Sequence, residues 1–309
     1  MTSEKEYELK FYTAEYDERA EKGDVFGCAS LGLVTENEWI LPDIPASRNF
    51  GMKVKGILVN DDYDNARREI DEIRADIKGG IVFFGNCGSE NDFMRYLNDR
   101  FPGIPFAGGS PAIGADGRVK RMLPESKQVD VLLITDERYD ISCDTVNVYG
   151  ETIDTALITK GGIRSIESIR VNGQSVDFYN YMMELKNRMG IDEGLTERVA
   201  VSDMNGRNIH LIEEDGSYVC GTDLPGDGKI TIRYTTRENV LKLMERFYSA
   251  PDSLVFGCAG VKSNLGDSSF KTGRNSLGMF MFGEVVSIEG CPADFANLML
   301  TRLSFNKIF

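Results

Sequence analysis

"VFGCAG" at residues 255–260 sets the fold class. An unbroken apolar run stops abruptly in Gly-Cys-Ala, small residues that cannot extend it. Such a run fits a strand whose two faces are both covered, as in sheets layered with helices. Nearly the same letters occur as "VFGCAS" at 25–30, and a weaker version as "IVFFGNCGS" at 81–89. Further short runs have the same character: "MKVKGILVN", "IPFAGG", "VDVLLIT", "TVNVYG", "RVAVSD", "LGMFMFG" and "NLMLTRLSF". "NIHLIEE" and "KITIRY" alternate instead, and fit a sheet with one wet face.

Four amphipathic helices are marked between these strands. In "DNARREIDEIRADIK" (64–78), Ala66, Ile70, Ile73 and Ile77 share a face, with Gly79 as the stop. "SENDFMRYLNDRF" starts at Ser89 as N-cap and stripes Phe93, Leu97 and Phe101. "SVDFYNYMMELKNRMG" turns Phe178, Met182, Leu185 and Met189 inward and stops at Gly190. "TTRENVLKLMERF" opens on a Thr235-x-x-Glu238 capping box. Strands mixed with such helices predict an α/β fold, with α+β as the alternative. The recurring strand–Gly–Cys motif predicts two related halves of mixed sheet, 20–160 and 161–309, packed as one compact unit.

The chain has 309 residues, 41% of them hydrophobic, enough for a sizeable core. Its formal charge of −14, with no long Lys/Arg cluster, argues against nucleic acid and against an anionic membrane. No apolar run approaches a membrane span, and "MTSEKEYELK" carries no export segment. Six cysteines without a C-x-x-C pair read as reduced thiols rather than disulfides or a zinc site. A cytoplasmic protein is the expectation.

Chemistry-bearing constellations are scarce. The single histidine, His210, lies in "NIHLIEE", where a structural role is the ordinary one. Cys28 and Cys258 end apolar strands, and ligands of α/β sheets sit beyond such ends. Gly108, Gly109 and Ser110 in "PFAGGSP" suit a sharp turn beside a cleft, without the sequence of a P-loop. Glu284, just after Gly283, is either an exposed strand-end charge or an expensively buried one. Arg274 could clamp a carboxylate, although a solvated loop charge is the commoner fate. Two other readings stay open: a cysteine-dependent enzyme using Cys28 or Cys258, and a protein-interaction module.

In order along the chain, "VFGCASLG", "GGIVFFGNCG", "FPGIPFAGGSPAIG", "SIRVNGQSVDFYNYMMEL", "DSLVFGCAG", "GMFMFGEV" and "FANLMLTRLSF" resemble the FIST family of sensory domains. The resemblance runs from about residue 20 to the end. It implies a small-molecule sensor, with an amino acid or related metabolite between an N-terminal and a C-terminal half. It implies no cofactor, and output through a separate signalling protein. Cys28, Gly108, Gly109, Ser110, Cys258, Arg274, Gly283, Glu284 and Asn297 would line the site. Three departures bear on the ligand. The family's Phe-His-Asn stands here as Phe295-Ala296-Asn297, Val261 replaces an expected arginine, and "GEVVS" lacks the usual Gly-Pro.

Overall fold

The computed structural model describes residues 3–13, 29–35, 38–39, 48–85, 88–111, 128–191, 198–258, 260–261, 276–288 and 291–308. It is a mixed α/β fold with two sheets. The first begins with β1 (Lys5–Thr13), β2 (Ala29–Thr35), β3 (Glu38–Trp39), β4 (Arg48–Asp61), β5 (Gly79–Phe84), β6 (Phe106–Pro111), β7 (Val129–Ile134) and β8 (Tyr139–Asn147). The second is built from β9 (Glu151–Gly162), β10 (Ser165–Val171), β11 (Gln174–Asp177), β12 (Val199–Ser202), β13 (Asn208–Ile209), β14 (Leu211–Glu214), β15 (Ser217–Cys220) and β16 (Lys229–Tyr234). The chain then returns to the first sheet with β17 (Ser253–Cys258), β18 (Ser276–Val286), β19 (Asp294–Ala296) and β20 (Met299–Lys307).

The spatial order of the first sheet is β3-β2-β1-β4-β7-β5-β6-β18-β17-β20-β8, with β19 on β18. Two of its pairings, β5–β6 and β17–β18, are parallel. β5, β7 and β17 are buried at every residue, the outcome their continuous apolar runs predict. The sheet curls. Tyr7 and Leu9 near one end of the order share a single apolar cluster with Ile141 and Phe305 at the other. The expected division at 160/161 falls inside β9, and the late strands pair into the sheet that the early ones begin.

Helices α1 (Tyr63–Glu72) and α2 (Glu90–Arg100) cover the outer face over Val82, Phe84 and Val131. The first is shorter than the 64–78 pattern predicts. Ile73 turns extended, its carbonyl accepting from Arg100, and Lys78 N–H already bonds Ile134 of β7. Ile73 and Ile77 are nevertheless buried, so the periodic residues reach the core without helix. Ser89 is the N-cap of α2, although its hydroxyl makes no capping bond. Helix α3 (Phe178–Met189) packs on the second sheet through Phe178, Met182 and Leu185, and stops at left-handed Gly190 as expected.

Helix α4 (Arg237–Tyr248) shifts the capping box by one residue. The cap is Thr236, whose Oγ1 accepts from Asn239 N–H at 3.2 Å. Thr235 instead donates to the Val148 carbonyl at 2.6 Å, and Glu238 pairs with Lys242. Thr236→Ala is therefore expected to lower stability by about 1 kcal/mol. Denaturant midpoints check this, with Thr236→Ser retaining the wild-type value.

Candidate functional site

The site assembles where β6, β17, β18 and the corner between β19 and β20 meet. Met281 of β18 lies opposite Pro111, and Glu284 opposite Gly109, so Phe282 and Gly283 together face only Ser110. That extra residue is a β-bulge, and it reorients the strand before Glu284. A Cβ on Gly109 (φ 150°) would lie 2.1 Å from the Gly283 carbonyl oxygen. One on Gly283 (φ 128°) would lie 2.3 Å from the Phe295 ring. Gly108 is similarly pressed on Val82. These glycines let strands approach; the space their missing side chains leave is filled by neighbouring protein atoms.

Glu284 is completely buried, which overturns the reading of it as an exposed strand-end charge. The strand continues past it to Val286, and Ala296 of β19 pairs against it. Its Oε1 accepts the Met299 N–H at 2.5 Å, while Oε2 has no hydrogen-bond partner among the described residues. Burial pushes the carboxyl well above the ordinary carboxylate range, partly offset by the Met299 N–H and by the Cys258 thiol beside it. Burial thus favours its protonated form.

Cys258, at the end of β17, is the only one of the paired strand-end thiols within the described residues; Cys28 lies outside them, as does Arg274. Burial, and then the neighbouring Glu284, raise its thiol far above the usual range, against the pull of backbone N–H groups of Leu298, Gly260 and Val261. A nucleophilic cysteine needs the opposite shift. Iodoacetamide is expected to leave Cys258 unmodified in the folded protein at pH values near the free-thiol pKa of about 8.5. Peptide mapping after brief labelling checks this, and fast modification of Cys258 would restore the enzyme reading. Cys220 and Cys143 are likewise raised by burial, each to about 12.

The corner Asn297-Leu298-Met299 uses each backbone N–H. Asn297 donates to the Asn208 carbonyl at 3.1 Å, Leu298 to the Cys258 sulfur, and Met299 to Glu284. Asn208 Nδ2 returns a bond to the Leu298 carbonyl at 3.0 Å and exchanges amide bonds with Asn147. Leu298 takes a left-handed φ of 58°, unfavourable for a branched side chain and held by these bonds and its full burial.

Beside the corner, Arg207 ties the two sheets. It pairs with Asp203 at 3.1 Å and Asp294 at 2.7 Å, and donates to the Asp223 carbonyl. Asp294 also accepts from Asn91 of α2. This junction borders a small cavity of about 180 Å³. A larger open groove of about 690 Å³ runs along Pro102–Pro105, Cys143, Ser287 and Cys291. Neither is lined by Cys258 or Glu284.

The structure thus gathers Gly108, Gly109, Ser110, Cys258, Gly283, Glu284 and Asn297 around one bulge. Among the described residues Ser110 Oγ and Asn297 Oδ1, both buried, lack partners as Glu284 Oε2 does. Sequence reasoning missed Arg207, Asn208 and Asn147, which meet Asp294, Leu298 and, for the two asparagines, each other from remote parts of the chain. Among the described residues no group of three or more His, Cys, Asp or Glu is placed to hold a metal ion, and no helix is long and apolar enough to cross a membrane. Comparisons with family models, with curated proteins and with solved structures found no match for this chain.

Proposed function

We propose that the protein is a non-catalytic receptor for a small polar metabolite of the amino-acid class, bound at the β18 bulge. One observation carries this reading: Glu284 is wholly buried, without a cationic partner among the described residues, and keeps one oxygen unpartnered. A buried polar atom left unpaired lowers stability by about 1–3 kcal/mol, which a purely architectural residue has no reason to retain. Protonated, that oxygen is a hydrogen-bond donor waiting for an acceptor. Ser110 Oγ, across from the bulge, supplies a second unengaged group. The bulge is hydrogen-bonded to the corner at 297–299, and the corner to the second sheet through Asn208. Occupancy would therefore be felt at the seam between the sheets, from which a separate partner protein reads it. The resemblance to FIST sensory domains agrees with a sensor.

A thermal-shift screen with amino acids and related metabolites tests the proposal. A ligand at one hundred times its Kd adds about 2.7 kcal/mol of stability. Glu284→Gln, which keeps the shape but exchanges the O–H for an amide, should weaken the response. A screen without any stabilising compound, or a response indifferent to Glu284→Gln, defeats it.

A further inference from the structure

The open groove of about 690 Å³ falls within the size range of small-molecule sites, about 300–1,000 Å³. Three separate pieces of chain wall it: the turn from α2 into β6, Cys143 and Asp144 of β8, and the segment after β18. Pro102, Ile104, Pro105, Ile288 and Pro292 give it apolar sides. The walls are preformed. Asn98 grips the Ala293 backbone with both ends of its amide, accepting the N–H at 3.1 Å and donating to the carbonyl at 2.5 Å. The Phe106 carbonyl accepts from the Ser287 hydroxyl at 3.1 Å and from the Cys143 thiol at 3.7 Å, which ties the β8 side to the β18 side. A cleft already shaped in this way loses little ordering free energy when it is filled.

The charges along it have one sign. Asp99 and Asp144 line the groove, and no lysine or arginine does. Asp144 pairs with Arg302, but Asp99 is exposed and forms no ion pair among the described residues. Asp99 also lies in the last turn of α2, where the helix dipole is negative and an acid is unfavourable. The adjacent Arg100 does not cancel it, because its guanidinium turns to the Ile73 carbonyl and over the Phe101 ring. Apolar sides with uncompensated negative charge, on a chain of net charge −14, select a cation with an apolar body.

We infer that this groove is a binding site for a small organic cation, its ammonium on Asp99 and its apolar body against the proline-lined wall. A carboxylate or phosphate would meet only repulsion from the lining charges. The groove shares no lining residue with the β18 bulge, so the site stands whether or not a ligand binds at Glu284.

The probe is 2-phenylethylammonium, with 3-phenylpropionate and 2-phenylethanol as anionic and neutral controls. Ligand-observed NMR on the full-length protein is expected to show saturable binding of the ammonium, tighter than either control. Asp99→Asn should weaken it about fivefold, the upper worth of an exposed ion pair, and Asp99→Lys should abolish it. Cys291 reports the place: it lines the groove and is partly exposed, whereas burial pushes the Cys143 thiol up to about 12. Alkylation of Cys291, followed by peptide mapping, should slow as the ammonium saturates. No binding of the ammonium, equal affinity for a control, full affinity in Asp99→Lys, or a Cys291 rate indifferent to the probe would each overturn the site. Glu284→Gln is expected to leave the affinity unchanged, so failure here and failure at the bulge are read separately.

Discussion

Glu284→Gln is expected to be more stable than the wild type at neutral pH, by a margin that widens as pH rises. The folded chain binds the Glu284 proton more tightly than the unfolded chain does. The stability this contributes is complete below the unfolded carboxyl pKa of about 4.3. Above it the unfolded chain ionises first, and stability falls by about 1.4 kcal/mol per pH unit until the folded carboxyl also ionises. Because the group is fully buried, solvent screening does not reduce that slope. Glutamine preserves an acceptor for the Met299 N–H and does not titrate. Urea denaturation of both proteins between about pH 5 and about pH 8 stays below the thiol range, so Cys258 does not enter. Curves that run parallel, or a wild type that gains on the variant toward alkaline pH, would show Glu284 ionised in the folded protein.

Arg207→Ala is expected to lower stability by about 3–5 kcal/mol, the range for breaking a buried ion pair on one side only. Asp203 would be left buried with its backbone bonds but without a cation. The side chain of Asp294 is 35% exposed, so water screens its part and the larger share belongs to Asp203. A double-mutant cycle with Asp203→Asn isolates the pair, and a loss below about 1 kcal/mol would mean that solvent already reaches the guanidinium.

The strands were legible where burial on both faces leaves an unbroken apolar run, as in "GIVFFG", "VDVLLIT" and "LVFGCA". Helix existence was equally legible, but boundaries were not. Ile73 and Ile77 keep helical spacing and are buried in extended chain, because Arg100 and β7 capture the backbone there. Adjacent threonines at 235 and 236 cannot be told apart as caps by sequence. The choice is made by a hydroxyl bond from Thr235 to Val148, 87 positions earlier. Glu284 shows the same limit at the site. A glutamate after a glycine reads as a strand end, and only the pairing of β6 and β19 on either side of β18 buries it. The Gly-Gly motif marked the right place for a different reason, close strand contact. His210 lay in a recognisable run, and its carbonyl accepts the Gly221 N–H, but Asn297 comes to stand over Gly221 only through the meeting of two sheets.

The nested order of the strands has a consequence for how the chain is made. β9 to β16 pair among themselves and can close as soon as they leave the ribosome. The edge of β6, by contrast, waits for β18, which is synthesised after the whole second sheet. Through that interval an unpaired strand edge is open to the equivalent edge of another nascent chain. Long-range closure of this kind also slows folding, so the yield of native protein should depend on how quickly its last strands are delivered.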